Sequence, residues 1–480
     1  MHHADNATAD RLFRWEKIAL ALFGLMFVAF GSVVIVRSAL QENRKTDFGV
    51  YARAAHAVRT GQDVYAKSTC DDHGWHYCYP VTFAVVLAPL ADPNGWDDRT
   101  GYLPFAVSVG VWYVLSVGFL AIAVHTFVKP ASPELQFGSR KWWYARTIPV
   151  LICLGGVGFT LSRGQVNLLV VLFLAMMFAA SVKGRSISAG VWLAAAVALK
   201  VIPLVFLLFP VVVCFRSNGH RVGRFFETPL TGWRLSLGFL VGLIVFLGVV
   251  PTLVLGFDGM VRSHETLVDT VLAPGAFGTG DQTRARELTD ATATHSQSFQ
   301  GILHNLRHPD LETRPHTVDA TTRLIALMLG GMVTVITAAV GLRRLSTTPA
   351  DRLIFLGCVA TVMVLISPVS HQHYSVYLLP LVAGLWLKRG EDRILKIVLI
   401  AWAICTAVPL LPDPVSVAAR DFGLGTVATI GLWVVGLRSI AQRTEPADSK
   451  RPGIISRVGS RRRVQSLVRC KRPDNSATPS

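Results

Sequence analysis

Asp47 lies in the stretch TDFGVYARAAHAVRTGQDVY, directly after the first long apolar run. A carboxylate held in a partly dehydrated cleft there can act as a general base toward a hydroxyl nucleophile. It can equally be a helix cap, ionised under the helix dipole, because the pattern after it reads as a short amphipathic helix stopped by Gly61. In that helix Tyr51, Ala54, Ala55 and Val58 share one face, with Arg53, His56 and Arg59 expected to turn away. The turn SRGQVN offers one guanidinium, Arg163, and two amides, Gln165 and Asn167, a set suited to an anion or a sugar or to closing two helix ends. Lys200 in LKVIP puts an ammonium inside an apolar run, facing a polar cavity or snorkelling to the surface. His371 and His373 in LISPVSHQHYSVYLLP suit a phosphate donor, a proton relay or interfacial capping, and no third metal ligand stands near them. In HSQSFQGILHNL, Gln297 and Ser298 combine an amide and a hydroxyl with an apolar helical phase. In CDDHGWHYC, Cys70 and Cys78 either close a disulfide or join the carboxylates and imidazoles between them around a metal.

The elements that must position these residues belong to a membrane. The 480 residues are 51% hydrophobic and 16% charged, with too little polar surface for a soluble globule and too many apolar runs for one core. Residues 18–40 are longer than a signal-peptide core and lack a cleavage site, so they read as a retained span. Further apolar runs near 103–128, 147–161, 165–182, 187–200, 201–215, 232–256, 321–342, 353–366, 374–387, 394–411 and 422–438 give twelve expected crossings. Basic residues fall in alternate loops, which places these loops and both termini in the cytoplasm. Residues 187–215 have basic flanks on both sides and must form a hairpin of two short helices, broken at Pro203 with Lys200 at the tip.

The expected organisation is a cytoplasmic N-terminus at 1–17, a membrane domain at 18–440 and a basic, disordered cytoplasmic tail at 441–480. Two long outer segments, 41–102 and 257–320, interrupt the membrane domain, and the second is expected to be in large part mobile without substrate. PVTFAVVLAPL in the first is too short to span and reads as interfacial or re-entrant. The net charge of +17 raises nucleic-acid binding. Ten Lys or Arg against three Asp or Glu after Gln442 instead mark a juxtamembrane excess facing anionic membrane lipids. Cys153, Cys214, Cys358 and Cys405 fall within or at the ends of apolar runs, as packing residues do. Polar motifs gathered on the outer side favour chemistry there over a scaffold.

Taken together the motifs resemble glycosyltransferase family 87, polytopic enzymes of the GT-C superfamily that use polyprenyl-phosphate sugars. The resemblance rests on DFGVY at Asp47 to Tyr51, YP at Tyr79 and Pro80, GQVN at Gly164 to Asn167 and ALKVIP at Ala198 to Pro203. It continues with QS at Gln297 and Ser298 and SPVSHQH at Ser367 to His373, in the family's order over about 70% of the chain. It departs where His373 replaces the first of a family histidine pair, leaving His371 as an extra, and where Ser296 replaces an asparagine.

The resemblance implies an all-α polytopic membrane protein of GT-C fold in a bacterial inner membrane, with two long extracytoplasmic loops. It implies transfer of a hexose, most often mannose and in a known variant arabinofuranose, from a polyprenyl-phosphate donor to a lipid or glycan hydroxyl. A single displacement would invert the anomeric centre, with no cofactor or metal. Asp47 would be the base and His373 a relay, with Lys200, Arg163 and His371 at the phosphate. Tyr51, Gln165, Asn167, Gln297 and Ser298 would meet substrate. A transporter or lipid flippase is the alternative, and it should show two halves of similar hydropathy.

Overall fold

The computed structural model describes residues 11–40, 46–66, 76–93, 99–218, 229–277, 288–292, 296–346, 348–388, 392–412 and 414–442. The described residues are helical and contain no strand. Helix α1 (Arg14–Leu40) leads to α2 (Asp47–Thr60), the short α3 (Val81–Val86) and α4 (Phe105–Ala131). Helices α5 (Arg140–Ile152) and α6 (Leu154–Arg163) meet at a bend of 68°. Then come α7 (Asn167–Val182), α8 (Ser186–Leu199), a 3-10 turn (Ile202–Leu207) and α9 (Leu208–Asn218). The second half holds α10 (Pro229–Leu243), a π-helical stretch (Ile244–Val249), α11 (Val250–Leu267) and α12 (Ala273–Phe277). It continues through α13 (Phe299–Arg307), α14 (Ala320–Arg344) and α15 (Pro349–Ile366) to a second 3-10 turn (Gln372–Leu378) and α16 (Leu379–Lys388). Helices α17 (Arg393–Ala407), α18 (Val415–Asp421) and α19 (Leu424–Ala441) complete it.

Among the described residues six helices are long and apolar enough to cross a membrane, or seven if the bent pair α5–α6 is one span, and α7, α8 and the 202–213 segment are shorter apolar helices. Every apolar run expected from the sequence is therefore helical, but length and composition alone support six or seven crossings rather than twelve. The faces are inverted relative to a soluble protein. Leu327, Met328 and Val335 on α14 and Ile397, Ile400 and Ile404 on α17 point outward, while Thr337 is buried and accepts a hydrogen bond from Trp433 Nε1 at 2.9 Å. An apolar exterior around satisfied interior polar groups is what hydrocarbon solvent selects. Helix α15 sits at the centre, its residues from Leu353 to Leu365 all buried.

Two polar clusters tie one end of the bundle together. Glu16 near the start of α1 accepts from Arg140 Nε at 2.6 Å and from the Tyr144 hydroxyl. Lys388 at the end of α16 donates to Asp351 Oδ1 and to the Ser439 carbonyl, each at 2.7 Å. Segments that alternation of basic loops assigns to one side thus meet one another.

Three expectations change. Residues 257–277, expected to open a long and mobile outer segment, are helical and follow the preceding helix across a break. The 44-residue stretch Gly232–Gly275 is roughly twice as long as a bilayer core requires at 1.5 Å per residue, and it breaks at Gly256, whose φ of 73° and ψ of 168° only glycine adopts without strain. Helix α2 is enclosed by protein rather than laid on the membrane with one polar face, and Arg53, expected to turn outward, is buried. Four alanines, Ala52, Ala54, Ala55 and Ala57, let neighbours approach it on several sides, which an apolar-face count does not register. Finally, the cap position of α2 belongs to Thr46, and Asp47 is the first helical residue. Cys70 and the basic tail lie outside the described residues, and with them the possible Cys70–Cys78 bridge.

Candidate active site

The site is assembled from helix ends. Helix α2 stops at Gly61 and α6 stops at Gly164, each with positive φ (70° and 67°), and each turn is closed by the next residue's amide reaching back five residues. At Gly164 the space is tight as well, since a Cβ there would lie 2.7 Å from the Phe48 Cβ. That turn carries the chain from Arg163 to Gln165 directly beneath the start of α2. Helix α8 ends because Lys200 adopts extended backbone (φ −155°, ψ 126°) ahead of Pro203 in the 3-10 turn. Its side chain consequently turns inward, and Lys200 is buried.

Two hydrogen-bonded groups result. In the first, Gln165 Nε2 donates to Asp47 Oδ2 at 2.5 Å, and Arg163 Nη1 lies 3.9 Å from the same oxygen. The hydroxyls of Tyr51 and Tyr79 reach Gln165 Oε1 at 3.0 and 3.2 Å and stand 3.1 Å apart. Burial pushes both phenols well above their usual range, and for Tyr51 the nearby Asp47 carboxylate adds to the effect. Both therefore remain O–H donors at neutral pH. In the second group, Lys200 Nζ donates to Asn167 Oδ1 at 3.0 Å, and the Tyr377 hydroxyl donates to the same oxygen at 2.8 Å. Asn167 Nδ2 and the Thr160 hydroxyl both donate to the His373 carbonyl, at 3.4 and 3.2 Å. The two groups touch through Lys200, which lies 4.1 Å from the Tyr374 ring centre and 5.4 Å from that of Tyr79. His373 is buried, and His371, more exposed, stacks on it at 4.9 Å.

Asp47, Arg163, Gln165, Asn167, Lys200 and His373, drawn from segments up to 326 positions apart, thus form one continuous arrangement. Such a site offers a carboxylate with the Arg163 guanidinium near it and the buried Lys200 ammonium beyond Tyr79. It can take a proton at the carboxylate and hold an anionic leaving group at the cations. The family model for glycosyltransferase family 87 matches residues 77–368, more than half of the chain. The chain belongs to glycosyltransferase family 87. A search of the curated proteins found no match.

Within this family 87 chain, Gln297 and Ser298 stand differently from the other expected site residues. The Ser298 hydroxyl caps α13 by accepting from Gly301 N at 3.1 Å and is fully buried. Gln297 is tied through its backbone to Ser370 and through its side-chain amide to the Arg420 carbonyl at 2.9 Å. Both pin the 296–298 segment to the loop before His371 and to α18, so they hold the histidine loop in place. Tyr79, Tyr374, Tyr377 and Thr160 complete the site and were not among the expected residues, although YP and the VYLLP helix pointed to two of them. Among the described residues no group of three or more His, Cys, Asp or Glu side chains is close enough to hold a metal ion.

Proposed function

We propose that this membrane glycosyltransferase moves a hexose, mannose in the first instance, from a polyprenyl-phosphate donor to a hydroxyl of a lipid or glycan acceptor at the outer face of a bacterial inner membrane. The observation that carries this reading is the placement of Asp47 in one polar arrangement with Arg163 and Lys200. Asp47 accepts the proton of the acceptor hydroxyl as its oxygen attacks the anomeric carbon, and the carbon–phosphate oxygen bond breaks on the opposite face. The anomeric centre inverts. The phosphate departs already anionic, so Lys200 and Arg163 need only stabilise its charge, with His371 and His373 as hydrogen-bonding partners and no metal. The twelve-crossing topology with both termini in the cytoplasm, and the division of the chain at about residues 17 and 440, belong to the same proposal. In that topology the site segments face the outer side, and the Glu16–Arg140 and Asp351–Lys388 pairs join segments assigned to the cytoplasmic side.

The test is incubation of purified protein with a panel of radiolabelled polyprenyl-phosphate sugars and membrane lipid and glycan fractions. Transfer from one of them is expected, with loss of at least about a hundredfold in Asp47→Asn. Undiminished transfer by that variant overturns Asp47 as base. Movement of the intact lipid across the bilayer without sugar transfer would favour the flippase reading.

A further inference from the structure

Gln165 fits a finer role than contact with substrate. An amide side chain presents an oxygen at one end and an NH2 at the other, and reversing it exchanges the two. Here the surroundings decide the direction. Tyr51 and Tyr79 bring two hydroxyls to one end of Gln165, and their O–H groups need an acceptor. The two phenols can satisfy each other in one direction only, so at least one proton must go to Gln165. Only the amide oxygen can accept it. The NH2 end is thereby directed at Asp47 Oδ2, 2.5 Å away. Were the amide reversed, its oxygen would face the carboxylate, a repulsive contact, and one phenol O–H would lose the oxygen that accepts from it.

The supports of the two phenols are separate from Asp47. Tyr51 is clasped edge-on by Tyr79 at 5.2 Å and by Phe83 at 4.9 Å. Tyr79 is held from behind, since the Tyr65 hydroxyl donates to its carbonyl at 2.8 Å, and the Tyr77 hydroxyl donates to the Pro80 carbonyl at 2.8 Å. The far face of the Tyr79 ring lies toward Lys200.

We propose that Tyr51 and Tyr79 act as positioning residues that lock the Gln165 amide, and that the locked amide keeps Asp47 ionised and aimed. This rests on Asp47 as the base. Among the described residues, the charged and titratable groups facing Asp47 include Arg163 from the end of α6, the two phenols, and Lys200 from the end of α8 behind Tyr79. Arg163 is half exposed, 3.9 Å away and screened by water, so the amide is the closer and better oriented stabiliser of the carboxylate.

A hydrophobic carbodiimide modifies carboxyl groups only in their protonated form, so the pH midpoint of Asp47 labelling, read by peptide mass spectrometry, reports its protonation without any substrate. Gln165→Leu removes the bond and is expected to raise the midpoint by about one pH unit, the scale of one charge-assisted hydrogen bond. The double variant Tyr51→Phe with Tyr79→Phe keeps the amide but frees it to turn, and most of the same shift is expected. A midpoint unmoved in both overturns the role of the amide. A shift in Gln165→Leu with none in the double variant overturns the lock. Tyr65→Phe, which keeps the ring and removes only the hydroxyl bond to the Tyr79 carbonyl, serves as the packing control, and a shift there as large as in the double variant likewise overturns the lock. Sugar transfer is measured separately: labelling that behaves as expected in a protein without transfer sinks the catalytic reading and leaves the lock standing.

Discussion

Lys200 shows how a residue of ambiguous sequence context acquires a definite setting. Its ammonium donates to Asn167, faces the Tyr374 ring and is buried, so a surface-seeking lysine is excluded. An ammonium withdrawn from water is tolerable only with such partners, and the same withdrawal would strengthen its field on the phosphate leaving group of the proposed reaction. Lys200→Met should leave the helix break at Pro203 intact and lower transfer by about a hundredfold, seen in kcat more than in KM. Lys200→Arg should rescue little, because the planar guanidinium does not fit a pocket shaped for a compact charge between Asn167 and Tyr374. Equal activity of wild type and Lys200→Met would remove it from the reaction.

Helix endings position the chemistry, and Gly164 is the most demanding of them. Its φ of 67° and the 2.7 Å approach to Phe48 together leave no room for a side chain. Gly164→Ala should destabilise the protein by about 1–3 kcal/mol and displace Gln165 from Asp47, so that thermal stability in detergent and transfer both fall. Gly256→Ala meets the strain without a clash, since open space surrounds that glycine, and it lies in none of the site segments. It should lower thermal stability by a similar amount, about 1–3 kcal/mol, with transfer retained. Loss of transfer in Gly256→Ala without loss of stability would show that the bend at residue 256 belongs to the reaction.

At the scale of the whole molecule, ion pairs built on buried carboxylates join helices from distant parts of the chain. Asp351 is buried in the first turn of α15, where its carboxylate accepts from the hydroxyl of the cap residue Thr348, and it is matched by Lys388 at the end of the next helix, α16. Lys388→Met leaves a buried carboxylate without its cation and should cost about 3–5 kcal/mol, whereas Lys388→Met with Asp351→Asn should recover much of that loss. Thermal unfolding of both variants checks this, and equal destabilisation would mean that the pair holds nothing by its charge.

The helices were legible because a run of apolar residues and a following glycine, proline or basic loop have local causes: helix α2 ends at Gly61, α6 at Gly164 and α8 before Pro203 as the sequence indicates. Most of the site was legible for another reason. Asp47, Arg163, Lys200 and His373 are polar groups at the ends of apolar runs, where a membrane tolerates them only with partners. Those partners could not be read. Whether Asp47 capped a helix or faced a cleft, whether Arg53 turned outward, and which end of Gln165 met the carboxylate depend on contacts between segments far apart in the chain. Amino-acid type and spacing by themselves determined a polytopic helical protein with its polar motifs at the ends of apolar runs. Only the tertiary structure decided that Tyr51 and Tyr79 stand behind Gln165, that Gln297 and Ser298 bond to the loop before His371, and that residues 257–277 are helical beyond a break at Gly256, because these follow from side-chain packing and backbone breaks that no local pattern encodes.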